Sequence, residues 1–295
     1  MSGIDPTVVT LADGRRLDVY DGGDTGGTAG TVLYHHGSPS SGWLPPAMSD
    51  AAAARGLRLV SFSRAGYGSS SRRPGRSVAD NVTDAVELLD ALGVAEARVL
   101  GWSGGGPHAI ACVAVAPDRF PAAATIGGVA PYPAEGLDWF ADMGPENVEE
   151  FMATLADPQN SIRSAERDWP TWRSVTGPEI ADQFGGLIDD VDRGSLTGDF
   201  AEYVAGSTRE GLRETYWGWV DDDWAFTGSW GFDLDAISAP VHIWQGGHDK
   251  MVPFGHGAWL AAHIPSACPH LLPEHGHLTL AVDSVPLIFD ELFAD

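Results

Sequence analysis

The sequence predicts an α/β protein: a mostly parallel central sheet covered by helices on both faces, with an inserted, mainly helical lid. Three observations carry this. Short apolar runs of strand length alternate with helix-length segments over residues 31–127 and again over 241–293, the pattern of strands joined by crossover helices. From Pro131 to Asp235 the alternation breaks into Trp-, Asp- and Gly-rich segments. Finally, Gly101-Trp102-Ser103-Gly104-Gly105 stands between the apolar run 97–100 and a helix-like segment at 107–116. A sharp strand-to-helix turn there lifts the serine oxygen clear of the sheet, and glycine is wanted on either side because flanking side chains would collide.

The elements follow in order. Residues 7–11 and 15–20 read as two strands joined by Ala12-Asp13-Gly14, in which Asp-Gly is a strong hairpin signal. The tract 21–30 is a loop, 31–34 a buried strand, 47–55 a helix and 57–62 another strand. A helix at 78–92, a strand at 98–101, a helix at 107–116 and a strand at 122–127 continue the alternation. Inside the lid, helix-like pieces lie at 145–155, 178–188 and 208–220. Strand and helix resume at 241–245, 253–264, 270–272 and 278–293. The core is therefore split in sequence, 1–130 with 236–295, around a lid at 131–235.

Composition narrows the function. A net charge of −24, from 17 Lys plus Arg against 41 Asp plus Glu, argues against a nucleic-acid partner and disfavours an anionic membrane surface. The acidity reads first as a solubility device; attraction of cationic substrates is the sharper alternative. No window approaches the ~18 uncharged apolar residues of a membrane span. Met1-Ser2-Gly3-Ile4-Asp5-Pro6 carries no basic region followed by an apolar stretch, so a cytoplasmic protein is expected. Cys112 and Cys268 read as free thiols. The expected partner is a small-molecule substrate, with no nucleic acid or membrane, and the chain a monomer or homodimer.

A serine hydroxyl is a weak nucleophile that needs a base within hydrogen-bond reach and an acid to orient the base. Asp249 follows the strand 241–245 in Gly246-Gly247-His248-Asp249, and His277 follows the last short strand in His275-Gly276-His277-Leu278. Ser103, Asp249 and His277 are the catalytic candidates. His275 is the alternative base, and Asp222 or another lid acid the alternative orienter. His35, His108, His248 and His256 read as supporting or surface residues. Asp221-Asp222-Asp223 reads as a solvated turn rather than a cation site, because no histidine or further ligand pattern surrounds it. Neither a phosphate loop, a Cys-His zinc pattern nor a dinucleotide fingerprint is present, so no cofactor and no metal are expected.

The order Ser, Asp, His, together with His36-Gly37-Ser38-Pro39, Ser63-Arg64-Ala65-Gly66-Tyr67-Gly68-Ser69 and the serine turn, resembles the α/β-hydrolase superfamily. The resemblance covers nearly the whole chain outside the lid. It implies the α/β-hydrolase fold and an oxyanion hole made by the backbone N–H groups of Ser38 and Gly104; the alternative is that His36 to Pro39 is merely a turn. The Ser63 loop departs from the commoner family form, which begins with Asp and carries Pro before the first glycine, and Arg64 is read as structural, pairing with an acid near the pocket floor.

Within that superfamily a serine nucleophile excludes epoxide hydrolases and haloalkane dehalogenases, which use aspartate. Carbon–carbon-bond hydrolases typically carry Trp after the histidine, where Leu278 stands here. The resemblance thus implies a carboxylesterase acting on a small, mostly apolar substrate. One alternative is a relative of the proline iminopeptidases, whose lid acids hold a substrate amine; 23 Asp plus Glu against 6 Arg in the lid favour it, while the elbow lacks the Gly-Gly-Ser-Trp-Gly form. Another is a silent binding protein. Lid tryptophans form the lid's own core first and line a pocket second, and Trp102, Trp139 and Trp217 are the substrate-binding candidates.

Overall fold

The protein was analysed as a computed structural model, which describes residues 5–294; residues 1–4, part of the stretch read above for a secretory signal, and residue 295 lie outside it. The first half of the core runs β1 (Thr7–Thr10), β2 (Arg16–Gly23), β3 (Gly30–His35), α1 (Pro46–Ala53), β4 (Leu57–Phe62), α2 (Asp80–Ala91), β5 (Arg98–Trp102), α3 (Gly106–Val115) and β6 (Ala123–Ile126). Six helices follow: α4 (Pro145–Ala156), α5 (Pro158–Trp172), α6 (Gly177–Gln183), α7 (Asp190–Ser195), α8 (Gly198–Gly211) and α9 (Trp217–Thr227). The core then closes with β7 (Val241–Gly246), α10 (Phe254–His263), β8 (Ala267–Leu272), α11 (His277–Asp283) and α12 (Val285–Leu292).

The strands form one eight-stranded sheet in the order β1-β2-β4-β3-β5-β6-β7-β8. β2 pairs antiparallel with β1 and β4, and the pairings from β4 through β8 are parallel. Successive strand residues point to opposite faces, and the core divides accordingly. Leu33, Val60 and Val99 pack with Leu88 of α2 and Ile110 of α3, while Val32, Leu59 and Leu100 pack with Met48 of α1 and Phe289 of α12. Both faces are covered, so these strands read as continuous apolar runs rather than alternating ones.

The six α-helices between β6 and β7, the segment read as a lid, differ most from their sequence reading. α5 and α7 were not expected, because α5 is polar and carries Pro170 in its last turn and α7 is a single six-residue element. The segment read as one helix at 208–220 is the end of α8 and the start of α9. The piece read as 178–188 stops at Gln183 and continues as a 3₁₀ turn at Gly185–Leu187, where Gly185 adopts φ +54°. The last helix is two helices, since Pro286 lacks the N–H for its i−4 bond and its ring would clash with the carbonyl of Val282.

Candidate active site

β5, β6 and β7 end side by side, and their carboxyl ends carry the candidate chemistry. Ser103 follows β5 with φ +55°, left-handed backbone that a non-glycine residue adopts only when its surroundings force it. The forcing is visible. A Cβ on Gly101 would stand 2.3 Å from the carbonyl oxygen of Gly105, and one on Gly105 would stand 2.0 Å from that of His35. Neither position admits a side chain, so Ser103 alone projects from the turn into the cavity.

Asp249 lies just past β7 and is 2% exposed. Its Oδ1 accepts from the backbone N–H of Met251 at 2.9 Å and of Val252 at 2.7 Å. Its Oδ2 accepts from Gln245 Nε2 at 3.1 Å and from His277 Nδ1 at 2.7 Å. Donation by Nδ1 leaves His277 Nε2 free to accept a proton. His277 opens α11 and stacks on Trp102, ring centroids 6.0 Å apart. Burial would lower its pKa, but Asp249, with Asp192 behind it, holds it above the ordinary imidazole value. Burial pushes the Asp249 carboxyl up against the opposing pull of His277 and the Val252 N–H. Ser103 and His277 face one small cavity; among the described residues no hydrogen bond joins them, a contact that commonly tightens only with substrate bound.

Ser38 and Gly104, the expected oxyanion donors, line a cavity of about 330 Å³ together with Ser103. The two loops touch, for a Cβ on Gly104 would lie 2.4 Å from Ser38 Oγ. The Ser38 loop is held from below. His36 Nε2 accepts from the Arg64 N–H at 3.1 Å, which assigns its proton to Nδ1, 2.7 Å from the Gly37 carbonyl. Arg64 also donates to the His36 carbonyl, to the Gly37 carbonyl at 3.1 Å and to Ser38 Oγ at 2.8 Å. The acid that Arg64 pairs with is Asp222 of α9, at 2.6 Å.

Asp221-Asp222-Asp223 is therefore not a solvated turn; all three are buried in α9. Asp221 pairs with Arg72. Asp222 joins Arg64, Arg76, Tyr67 and Ser38, and the two guanidiniums hold its carboxyl well below the usual range although burial alone would raise it. Asp222 thus braces the Ser38 loop, while Asp249 is the acid on His277.

The tryptophans also sort differently. Trp102 lines the smaller cavity. Trp139 lines neither: its indole donates to the Ala130 carbonyl at 3.0 Å and its ring packs on Phe151 and His256. Trp217 also lines neither, lying beneath the Arg72 guanidinium at 3.5 Å. Trp219 and Trp172 are the lid indoles in the larger cavity. Trp217 and Trp219 are two apart on one helix, so they cannot share a face, and only the structure shows which face is turned inward.

The remaining histidines are buried or paired elsewhere. Burial lowers the pKa of His108 and of His256 to about 4; His256 accepts from the Ala130 N–H and lies 2.8 Å from the Trp139 carbonyl. His248 pairs with Asp189 at 2.8 Å. His242 and His270 both lie against one oxygen of Glu291, at 2.8 and 2.9 Å. Cys112 and Cys268 are free thiols. No helix of the described residues is long and apolar enough to cross a membrane.

The chain matches the alpha/beta hydrolase fold family over residues 30–283. It belongs to that family. Among curated members of the alpha/beta hydrolase family, the 2-hydroxy-6-oxononadienedioate/2-hydroxy-6-oxononatrienedioate hydrolase of Cupriavidus pinatubonensis (strain JMP 134 / LMG 1197) is 26% identical over 274 residues, 91% of this chain and 88% of that protein. The non-heme haloperoxidase of Rhodococcus erythropolis is 25% identical over 298 residues, 94% of this chain and 95% of that one. Among solved structures, an esterase from Exiguobacterium antarcticum superposes with a TM-score of 0.70 at 16% identity, covering 98% of this chain and all of that one. Proteins of differing activity share the scaffold, so the family identifies a hydrolase fold and leaves the substrate to the site.

Proposed function

We propose that this family member is a serine hydrolase cleaving a carboxylic ester of a small, mostly apolar substrate through an acyl-enzyme. The observation that carries the reading is that the strained Ser103 turn and His277, whose Nδ1 is bound by Asp249, meet at one cavity. In this mechanism His277 Nε2 takes the Ser103 proton as Ser103 Oγ attacks the ester carbonyl. The oxyanion that forms is met by the backbone N–H groups of Ser38 and Gly104, each donor contributing roughly 3 kcal/mol to the transition state. His277 returns its proton to the leaving alcohol, and a water, activated the same way, releases the acid. Asp249 keeps the imidazole in the tautomer that makes both transfers possible.

A carbon–carbon hydrolase is the competing reading, since a curated relative cleaves a substrate whose name is that of a dicarboxylate. The cavity wall argues against such a substrate here. Glu146, Glu149, Glu150, Asp168 and Asp223 line it against the single Arg167, and each like-charge contact near 4 Å costs about 1–4 kcal/mol. Leu278 after His277 points the same way.

The test is reaction with a fluorophosphonate probe, read by intact mass. Stoichiometric labelling of the protein, absent in Ser103→Ala, is expected, together with hydrolysis of short-chain esters. Equal ester hydrolysis by purified Ser103→Ala overturns the reading.

A further inference from the structure

The mechanism leaves two carboxyls of the larger cavity unused, one of them buried. Trp219, Asp223 and Phe226 are spaced i, i+4, i+7 along α9, which puts them on one face, and all three line the cavity that holds Ser103. Phe226 reaches the nucleophile turn, since a Cβ on Gly104 would lie 3.0 Å from its ring. Asp223 is one turn further back, roughly 4.5 Å along the helix axis. Across from it Glu150, half-buried on α4, lines the same cavity and leans on the Asp223 carboxyl.

The other acids of the wall are answered. Asp168 pairs with Arg167 at 2.7 Å and Glu149 approaches the same guanidinium at 3.9 Å. Glu146 accepts from the Gly186 N–H at 2.9 Å. Glu150 stands by the Trp219 indole. Asp223 is 5% exposed, and its carboxyl meets that of Glu150, with the Asp222 charge adding to the repulsion. A carboxyl buried to that degree beside a second acid stays ionised only at a cost unless a cation answers it. Two adjacent acids also cannot both ionise readily; burial pushes both upward, and Glu150 adds to the rise at Asp223 while the Asp223 and Trp219 hydrogen bonds partly offset it at Glu150.

We propose that the Glu150–Asp223 pair is the recognition site for a protonated amine on the substrate ester. The inference rests on the esterase reading above and adds a substrate class to it. An ammonium N–H bridging the two carboxyls supplies the charge that lets both ionise, while Val129, Met143 and Phe151 take the apolar part. The amine can sit on the acyl part, as in an amino-acid ester, or on the alcohol part, as in an amino-alcohol ester; the chemistry of recognition is shared.

Matched isosteres test it. Ethyl 4-(dimethylamino)butanoate is compared with ethyl 5-methylhexanoate for an acyl amine, and 2-(dimethylamino)ethyl butanoate with 3-methylbutyl butanoate for an alcohol amine. One amine member is expected to exceed its neutral isostere in kcat/KM by about tenfold to a hundredfold, the span of a charged hydrogen bond. Glu150→Gln and Asp223→Asn should remove that preference, bringing the ratio of amine ester to neutral isostere in kcat/KM to about one. Hydrolysis of all four esters without amine preference overturns the pair's role and leaves the esterase reading standing. If no ester is cleaved, calorimetry of Ser103→Ala with 4-(dimethylamino)-N-ethylbutanamide decides the pair by itself: binding lost in Asp223→Asn supports it, and absence of binding, or binding unaffected by Asp223→Asn, overturns it.

Discussion

The carboxylate of Asp192 caps the helix that begins at His277. It accepts from the backbone N–H of His277 at 2.8 Å, and from those of Leu278 and Thr279 at 2.9 Å each. The first N–H groups of a helix have no internal partner, and the residue before α11 is glycine, with no side chain to offer. A residue of the lid insertion thus does the capping across 85 positions of sequence. Asp192→Ala is expected to cost about 1–2 kcal/mol of stability and to lower kcat more than it raises KM, because the base itself is the first residue set adrift. Thermal unfolding and steady-state kinetics on the purified variant check both; an unchanged kcat refutes the positioning role.

Asp192 also bears on the charge of His277. As the proposed base, His277 works only when neutral, so activity should fall as pH drops through its pKa. Asp249 and Asp192 together outweigh burial and hold that pKa up, which places the acid limb of the kcat/KM profile above about 6.5. Asp192→Asn removes one of the two anions, and the limb should move to lower pH. A purely structural contact would lower the rate without moving the limb.

The sheet and the candidate site were legible in sequence for different reasons. Strands buried on both faces leave uninterrupted apolar runs such as Thr31-Val32-Leu33-Tyr34, and the crowding around Ser103 demands glycines at fixed offsets; both are local signals. The lid was not legible, because its helices are set by partners distant in sequence. Asp222 looks like any acid in a run of three until Arg64 and Arg76 arrive from the core, and nothing local distinguishes the inward Trp219 from the outward Trp217. Asp192 carries no motif at all. Its role exists only once α7 is laid against α11.

Asp222 is the second tie between lid and core. Its carboxylate sits between two buried guanidiniums and accepts from Tyr67 at 2.9 Å. Asp222→Ala leaves Arg64 and Arg76 uncompensated, a loss of about 3–5 kcal/mol for a buried pair broken from one side. Since Arg64 also holds the His36 and Gly37 carbonyls, the Ser38 N–H should lose its aim as well. The expected signature, by urea denaturation and kinetics, is a large drop in stability with a fall in kcat; wild-type values for both would show that the network is idle.

Gly127, at the end of β6, offers the sharpest steric test. It adopts φ +54°, and a Cβ there would lie 2.7 Å from His277 Nδ1 and 2.9 Å from Asp249 Oδ2. No flexible side chain stands in the way to yield; the methyl would press on the hydrogen bond that sets the imidazole tautomer. Strain in the backbone and displacement of the ring act in the same direction, and a displacement near 1 Å costs about a hundredfold in rate. Gly127→Ala should therefore lose about that much in kcat while the protein stays folded, as judged by its circular dichroism, and it should label slowly with a fluorophosphonate because His277 no longer draws the proton from Ser103. Near-normal labelling by a folded Gly127→Ala protein would mean that His277 is not the base, and His275, two residues earlier, would take its place.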